Sequence, residues 1–400
     1  MFDGVENSVF ESQVLRASEK LICSEKFSKV ILLSFQSNIS RAKEIVSKLS
    51  VPEGIEFIFQ KKLPFFGTLS LERCVEVTSA EIFKLFPDSI YARGPIAGYL
   101  CINALGKIKD ENLLLKNKKE FPELVIQAQG LLAKEYEYTT SHARWNPFLF
   151  PIRWFVRRQL ESLERKVYGE PSLAKLAFPV KIRSITPALS DYLIEEFASS
   201  PRRIHLIEKE KISPLSKDTV KKYRQDTRSK LGIDQDAKVY CYNGTTKPWQ
   251  CPKETVELFC QKLKDDSKAH LLIISQDKEV FASIIKKKGI PAANYSLVTT
   301  HNQLDLYKML CAADVGIIIR QDHPMNWVSK PIKVLDYLAC GLEIEHNSTI
   351  AWVIEAAERA ARNSSIKVEA ARLEEKKPKV QTRPMKKTVV RKSKNQSALS

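Results

Sequence analysis

Short apolar runs alternate with longer amphipathic ones along most of the chain. Lys29–Gln36 (KVILLSFQ), Gly54–Gln60 (GIEFIFQ), Ser89–Gly94, Glu123–Gly130 and Lys181–Pro187 read as brief strands. Between them lie stretches with apolar residues at helical spacing, such as RAKEIVSKL and LSLERCVEVTSAEIFKLF. This alternation predicts βα units and a mostly parallel sheet. A second series follows: strands at Ala237–Gly244, Ala269–Gln276, YSLVTT and Asp314–Arg320, separated by helical patterns and closed by SKPIKVLDYLACG. Residues 200–232 are polar between the two series and read as a linker plus a solvent-faced helix. Only Met-Phe precedes DGVENSVF, so the strand that should open a first βα unit is nearly absent or trimmed.

At 400 residues the chain exceeds what one hydrophobic core organises. The pattern divides it into an α/β domain over 1–200, a second over 201–345, and a helix plus basic disordered tail over 346–400. No run approaches the roughly 18 apolar residues of a membrane span. The acidic N-terminus lacks the basic-then-apolar order of a signal peptide. A cytoplasmic chain, peripheral at the inner membrane face, is expected. The eight cysteines form no CxxC pair, and the six histidines show no ligand spacing, so no metal is expected. The absence of GxSxG, P-loop and GxGxxG removes the commonest hydrolase, NTPase and dinucleotide signals.

Charge is unevenly placed. The formal net charge is +17, and residues 361–400, with 12 Lys/Arg and 3 Asp/Glu, supply +9 of it. That segment has few large apolar groups and repeated prolines, which predicts disorder and attraction to anionic surfaces. The helix PIRWFVRRQLESLERKV (residues 151–167) sets Ile152, Phe155, Val156, Leu160, Leu163 and Val167 near one face with arginines at its fringe. It reads either as a helix packed on a sheet or as one lying on an anionic membrane.

Parallel sheets bind ligands where strands hand over to helices. After Tyr242, the turn at Gly244, Thr245 and Lys247 offers N–H groups, a hydroxyl and a cation, either to a diphosphate or merely as a surface turn. After Arg320, a long loop leads to Ser329, Lys330 and Lys333. Ser329 is placed to cap the next helix, and lysines at a helix N-terminus oppose its dipole unless an anion is present. Asp336, further along, could hold sugar hydroxyls or simply pair with Lys333. In the first half Arg93 ends a strand and faces either an anion or a surface carboxylate. Gly4 near the start reads as a close-approach residue or a frayed end. His142 and His323 sit in loops.

SKPIKVLDYLACG resembles the nucleotide-sugar signature of the family-4 type (group 1) glycosyltransferases. FDGVENSVFESQVL, IYARGP and QAQGLLAKEY resemble segments of the same family, and the likeness covers roughly residues 1–344. It implies a GT-B fold: two doubly wound Rossmann-like domains facing a cleft, here with an atypical C-terminal closure. The N-terminal domain would serve the acceptor and the C-terminal domain the nucleotide-sugar donor. It implies retaining sugar transfer from a nucleotide-diphosphate donor to a glycan or lipid-linked acceptor, with no metal and no other cofactor. Asp336 matches the acid that holds the donor ribose, Ser329 and Lys333 lie where the donor is gripped, and Gly244 and Lys247 lie in the loop that faces the diphosphate; Thr245, Arg320 and Lys330 are further substrate-binding candidates. Arg93, His142 and Lys247 are the catalytic candidates, and Gly4 belongs to the opening loop. Relatives usually carry Glu where this chain has Asp336, a second acid where it has Val328, and no lysine between the serine and the proline. After Gly341 no family feature matches. A non-catalytic scaffold of the same fold is the alternative, and a nucleic-acid binder is disfavoured because the body lacks a basic-aromatic stripe.

Overall fold

A computed structural model describes residue 5 and residues 10–24, 26–110, 121–141, 147–207, 213–300, 302–359 and 362. Gly4, His142 and the basic segment beyond 362 lie outside the described residues. Residues 1–357 form one compact unit.

All strand pairings among the described residues are parallel. In the N-terminal lobe, β1 (Val30–Gln36) pairs with β2 (Ile55–Lys61), and β3 (Ser89–Arg93), β4 (Glu123–Ala128), β5 (Val180–Ser184) and β6 (Ile204–Leu206) form a separate sheet in chain order. The last of these strands lies beyond residue 200, so this sheet runs into what the sequence pattern assigns to the linker. Period-two alternation directs Ile90, Ala92, Leu124, Ile126, Val180 and Ile182 to one face. There they join the core with the helices Glu72–Leu85, Gly94–Asp110, Phe150–Tyr168 and Pro187–Phe197. Leu33 and Phe35 of β1 join the same core. The opposite face carries Tyr91, Glu123, Val125, Lys181, Arg183 and His205, which line a depression of about 200 Å³.

The C-terminal lobe has β7 (Val239–Asn243), β8 (His270–Ile274), β9 (Tyr295–Val298), β10 (Val315–Ile318) and β11 (Glu343–His346), in the order β11-β10-β7-β8-β9. Two cores sandwich this sheet. Val239, Cys241, Leu272, Ile274 and Ile318 pack on one side, and Leu271, Ile273, Ile317 and Tyr242 on the other. It is a doubly wound sheet whose order reverses between β7 and β10, and the crevice at such a reversal is where this architecture takes ligands.

The helix Lys217–Leu231 corrects the solvent-faced reading of 217–231. Its Val220, Tyr223 and Leu231 pack on the core, and Arg228 is fully buried. Arg228 donates to the carbonyls of Ala312 (2.9 Å), Gln235 (2.8 Å) and Ala237 (2.9 Å) and pairs with Asp314 (2.9 Å). A long cationic side chain thus ties the entry of β7 to the entry of β10, because its five donors can meet several carbonyls at once.

Candidate functional site

The carboxyl ends of both sheets face each other. The helix Leu132–Ser141 follows β4. Its Tyr138 donates to Gln321 in the loop after β10, and its ring meets His323 (5.1 Å) and Trp249 (6.0 Å) in the loops after β10 and β7. Thr186, which caps the helix Pro187–Phe197, also donates to the Val328 carbonyl at 2.8 Å. Val328 joins the N-terminal lobe's core. Val328 is therefore an apolar residue that fastens the lobes together.

At the β7–β10 reversal two cations converge. Arg320 is 6% exposed. It donates from Nη1 to the neighbouring Ile319 carbonyl at 2.8 Å. Its backbone is clamped by Asn347 and Thr349: its N–H meets Asn347 Oδ1 at 3.2 Å, and its carbonyl accepts from Asn347 Nδ2 (2.6 Å) and Thr349 Oγ1 (3.1 Å). Lys333 is half-buried along its length, and its ammonium is enclosed. Nζ donates to Gln250 Oε1 (3.0 Å), lies 4.8 Å from the centre of the Tyr242 ring, and sits beside Gly244. Burial, reinforced by the charge of Arg320, pushes the Lys333 ammonium well below the usual lysine range. Burial alone pulls Arg320 down. Among the described residues no carboxylate pairs with either. Two desolvated like charges without a counterion are costly, and an incoming anion relieves that cost.

The turn after β7 is shaped around this pair. Gly244 has φ +156°, and a Cβ there would come within 2.5 Å of Gln250 Oε1 and 2.6 Å of Lys333 Nζ. Tyr242 donates its hydroxyl to the Thr245 carbonyl (2.7 Å), and Gln250 Nε2 donates to Thr245 Oγ1 (3.1 Å). Thr246 is pinned to Asp277 through its N–H (2.8 Å) and hydroxyl (3.0 Å). Lys247 is exposed above the Trp249 ring at 5.0 Å.

The SKP segment differs from its expected form. The helix starts at Lys333 and ends at Ala339, with Ile332 as its first flanking residue and no side-chain cap. Ser329 does not cap it; its hydroxyl donates back to the Asn326 carbonyl at 2.8 Å. Seven residues make too short a helix for its dipole to carry the anion argument, so the charge rests on the side chains. Lys330 points to the Trp352 ring at 5.6 Å. Tyr337 explains the segment's placement. Its ring lies against Gly316 of β10, where a Cβ would come within 2.2 Å, and its hydroxyl accepts from the Asn243 N–H at 3.0 Å. One tyrosine thereby sets the helix against β10 and against the end of β7.

Asp336 faces the helix Gln303–Cys311, accepting from Gln303 Nε2 at 3.1 Å and sharing a hydrogen bond with Tyr307. Burial raises its carboxyl to about 6, opposed by Tyr307 and by the charge of Arg16. It is half-buried and does not pair with Lys333. Arg93, at the end of β3, donates to Gln13 on the first helical segment, and burial lowers it.

Two acids went unread in the sequence. Glu135 folds over Gly130, where a Cβ would come within 2.6 Å of its Oε1. Its carboxylate is reachable by solvent yet surrounded by protein, and this burial raises it against the pull of Lys247 from the other lobe. Glu164 is buried beneath the same helix and accepts the N–H groups of Leu132 (2.6 Å) and Ala133 (3.3 Å). It holds the start of the helix that carries Glu135 and Tyr138. Among the described residues no group of three His, Cys, Asp or Glu side chains is placed to hold a metal.

No protein-family profile and no curated protein sequence matches the chain. Solved structures do. A glycosyltransferase from Rickettsia africae aligns at 12% identity with a TM-score of 0.56, covering 86% of this chain and 77% of that one. HepE of Anabaena, solved with UDP and glucose, aligns at 13% identity and 0.53, covering 86% and 78%. The lipopolysaccharide outer core galactosyltransferase WaaB aligns at 12% and 0.53, covering 88% and 80%. The fold is GT-B. The reversal at β7 and β10 with its buried cations is therefore in the C-terminal lobe of a GT-B protein; Tyr138 and Glu135 interact with its loops from the N-terminal lobe, whereas Arg93 is held by Gln13 within that lobe.

Proposed function

We propose that this chain is a glycosyltransferase that takes a sugar from a nucleotide-diphosphate donor and passes it, with retention, to a glycan or lipid-linked acceptor. The observation that carries the reading is the uncompensated pair Arg320 and Lys333 at the sheet reversal. In this reading the donor diphosphate lies between them, and they stabilise the charge that grows on the leaving nucleotide, with no metal required. Lys247, on the same turn, adds an exposed cation. Gly244 lets the backbone approach the phosphates. Asp336 receives the ribose hydroxyls, and its position on the helix after Lys333 supports that role. Arg93 and Glu135 stand on the acceptor side, where Glu135, raised by burial, is suited to accept a hydrogen bond from the attacking hydroxyl.

The test is release of nucleoside diphosphate from a panel of UDP-, GDP- and ADP-sugars, run with and without a chelator. One donor should be turned over regardless of chelation, and Arg320→Met should cut the rate by about 100-fold or more, as expected when a group aimed at developing charge is lost. Turnover that disappears on chelation would overturn the metal-free part of the reading. Binding without turnover of any donor would favour the scaffold alternative.

A further inference from the structure

The helix Phe150–Tyr168 resolves its two readings by dividing between them. Val156, Leu160, Leu163 and Val167 are buried on the protein. Its first turns and the preceding 3-10 turn (Pro147–Leu149) are not: Phe148 is 87% exposed and Phe150 66%, with Leu149, Ile152, Trp154 and Phe155 also exposed. A second segment adjoins this run. Phe65 packs against the cluster containing Val156 and Leu160, and Gly67 lies against the Gln159 side chain. From there Phe66 (65% exposed) and Leu69 (91%) extend into solvent beside Leu63. Two chain segments far apart in sequence thus build one apolar, aromatic-rich prominence, whereas exposed large apolar residues on a soluble surface are ordinarily scattered.

The charge around it is net positive, although Arg157 pairs with Glu137 and Glu161 and Arg158 pairs with Glu161. Residues 61–69 and 147–158 together contain five basic residues (Lys61, Lys62, Arg153, Arg157 and Arg158) and no acid. Arg158 stands 5.6 Å from the Trp154 ring, an arrangement that leaves the indole in the apolar layer and the guanidinium at its polar boundary. Apolar side chains flanked by cations match an anionic bilayer: acyl chains inside, negative headgroups at the rim. A second copy fits poorly, because a two-fold contact would bring two net-positive rims together. The prominence is also tied to the lobe seam. Arg153 donates to the Thr140 carbonyl (3.3 Å) and Arg157 pairs with Glu137 (2.9 Å), both on the helix that presents Tyr138 to the C-terminal lobe.

We infer that the loop bearing Phe66 and Leu69, with the run Phe148–Phe155, forms a membrane-docking surface that inserts into the headgroup region of an anionic bilayer. The inference does not depend on the sugar-transfer reading, since it follows from exposure and charge alone.

Vesicle sedimentation of the full chain tests it, with phosphatidylcholine vesicles containing phosphatidylglycerol. The basic segment 361–400 also attracts such vesicles, and salt separates the two contributions. Screening shrinks from about 10 Å at 0.1 M salt to about 3 Å at 1 M, which suppresses purely electrostatic attraction but not apolar insertion. Wild type should remain vesicle-bound at 1 M salt. The double variant Phe150→Ser/Trp154→Ser should bind at 0.1 M through its basic segment and lose at least about tenfold in partitioning at 1 M, as two aromatic side chains leave the bilayer. Phe66→Ser, on the other segment, should lose part of the same binding. All three side chains are exposed, so melting temperatures should match wild type, which separates lost docking from lost folding. Complete release of wild type at 1 M, or equal retention of the variants, would overturn the inference. So would lipid-free self-association of wild type that the variants abolish, which would identify a second copy as the occupant.

Discussion

Replacing Lys333 with methionine should move two measured quantities in opposite directions. The ammonium is enclosed beside a second buried cation, and among the described residues its company is the Gln250 amide oxygen and the Tyr242 ring. Methionine keeps most of the volume and removes the charge. Exchanging poorly compensated buried charge for apolar volume typically stabilises by about 1–3 kcal/mol. A compact unit of this size unfolds with an entropy near 0.75 kcal/mol per degree, so the melting temperature should rise by about 1–4 °C. The same substitution removes a charge-assisted contact to a diphosphate, worth about 1.5–3 kcal/mol, so affinity for the nucleoside diphosphate should fall by roughly 10- to 150-fold. Melting with and without ligand, and calorimetric titration of wild type and variant, read both. A protein that melts lower and binds equally well would mean that Lys333 is a structural lysine and that no anion belongs beside it.

Gly316→Ala would drive a Cβ into the Tyr337 ring. It should cost about 1–3 kcal/mol by denaturant titration and weaken nucleotide binding, because Tyr337 fixes the end of β7. Glu164, buried and raised to about 8, binds a proton in the folded chain that it loses near 4.5 when unfolded. Its contribution to stability should therefore decline as pH rises from about 4.5 to about 8 and then level off, and Glu164→Gln should remove that slope from melting curves. Asp336, raised to about 6, should make nucleotide affinity fall as pH drops below about 6, and Asp336→Asn should bind more weakly with that pH dependence gone.

The alternation of short apolar runs with helical patterns located the strands of both lobes well, because central parallel strands must be apolar on both faces and stand out. What escaped was set by long-range contacts. The edge strand Glu343–His346 alternates charged and apolar residues and extends a sheet whose centre lies about a hundred residues earlier, so EIEH alone looks like a loop. Nothing local marks Arg228 in KKYRQDTRSKLG as the one cation of that helix that is fully buried; its partners lie at 312–314 and 234–237.

The site was legible in part. Arg320 and Gly244 stand out at strand ends and Lys333 at the start of the helix that follows, and the structure brings all three together. Ser329 and Lys330 were drawn in by a helix expected to begin four residues earlier than it does; Pro331 and Ile332 remain outside it, and both side chains turn elsewhere. Glu135 and Glu164 carried no spacing signal, since each acquires its meaning from a neighbour more than four residues away. The Asn347 and Thr349 clamp on Arg320 comes from the segment after Gly341, where resemblance fails. That segment still completes the sheet: Ile350 and Val353 are buried in the core beside β10.

The central claim is that Arg320 and Lys333 await a nucleoside diphosphate at the reversal of the C-terminal sheet. Calorimetric titration of the full chain with UDP, GDP and ADP, repeated on Arg320→Met/Lys333→Met, tests it most directly. The account predicts saturable binding of one of the three by the wild type and none detectable by the folded double variant. Binding of none by the wild type, or undiminished binding by the double variant, would contradict it.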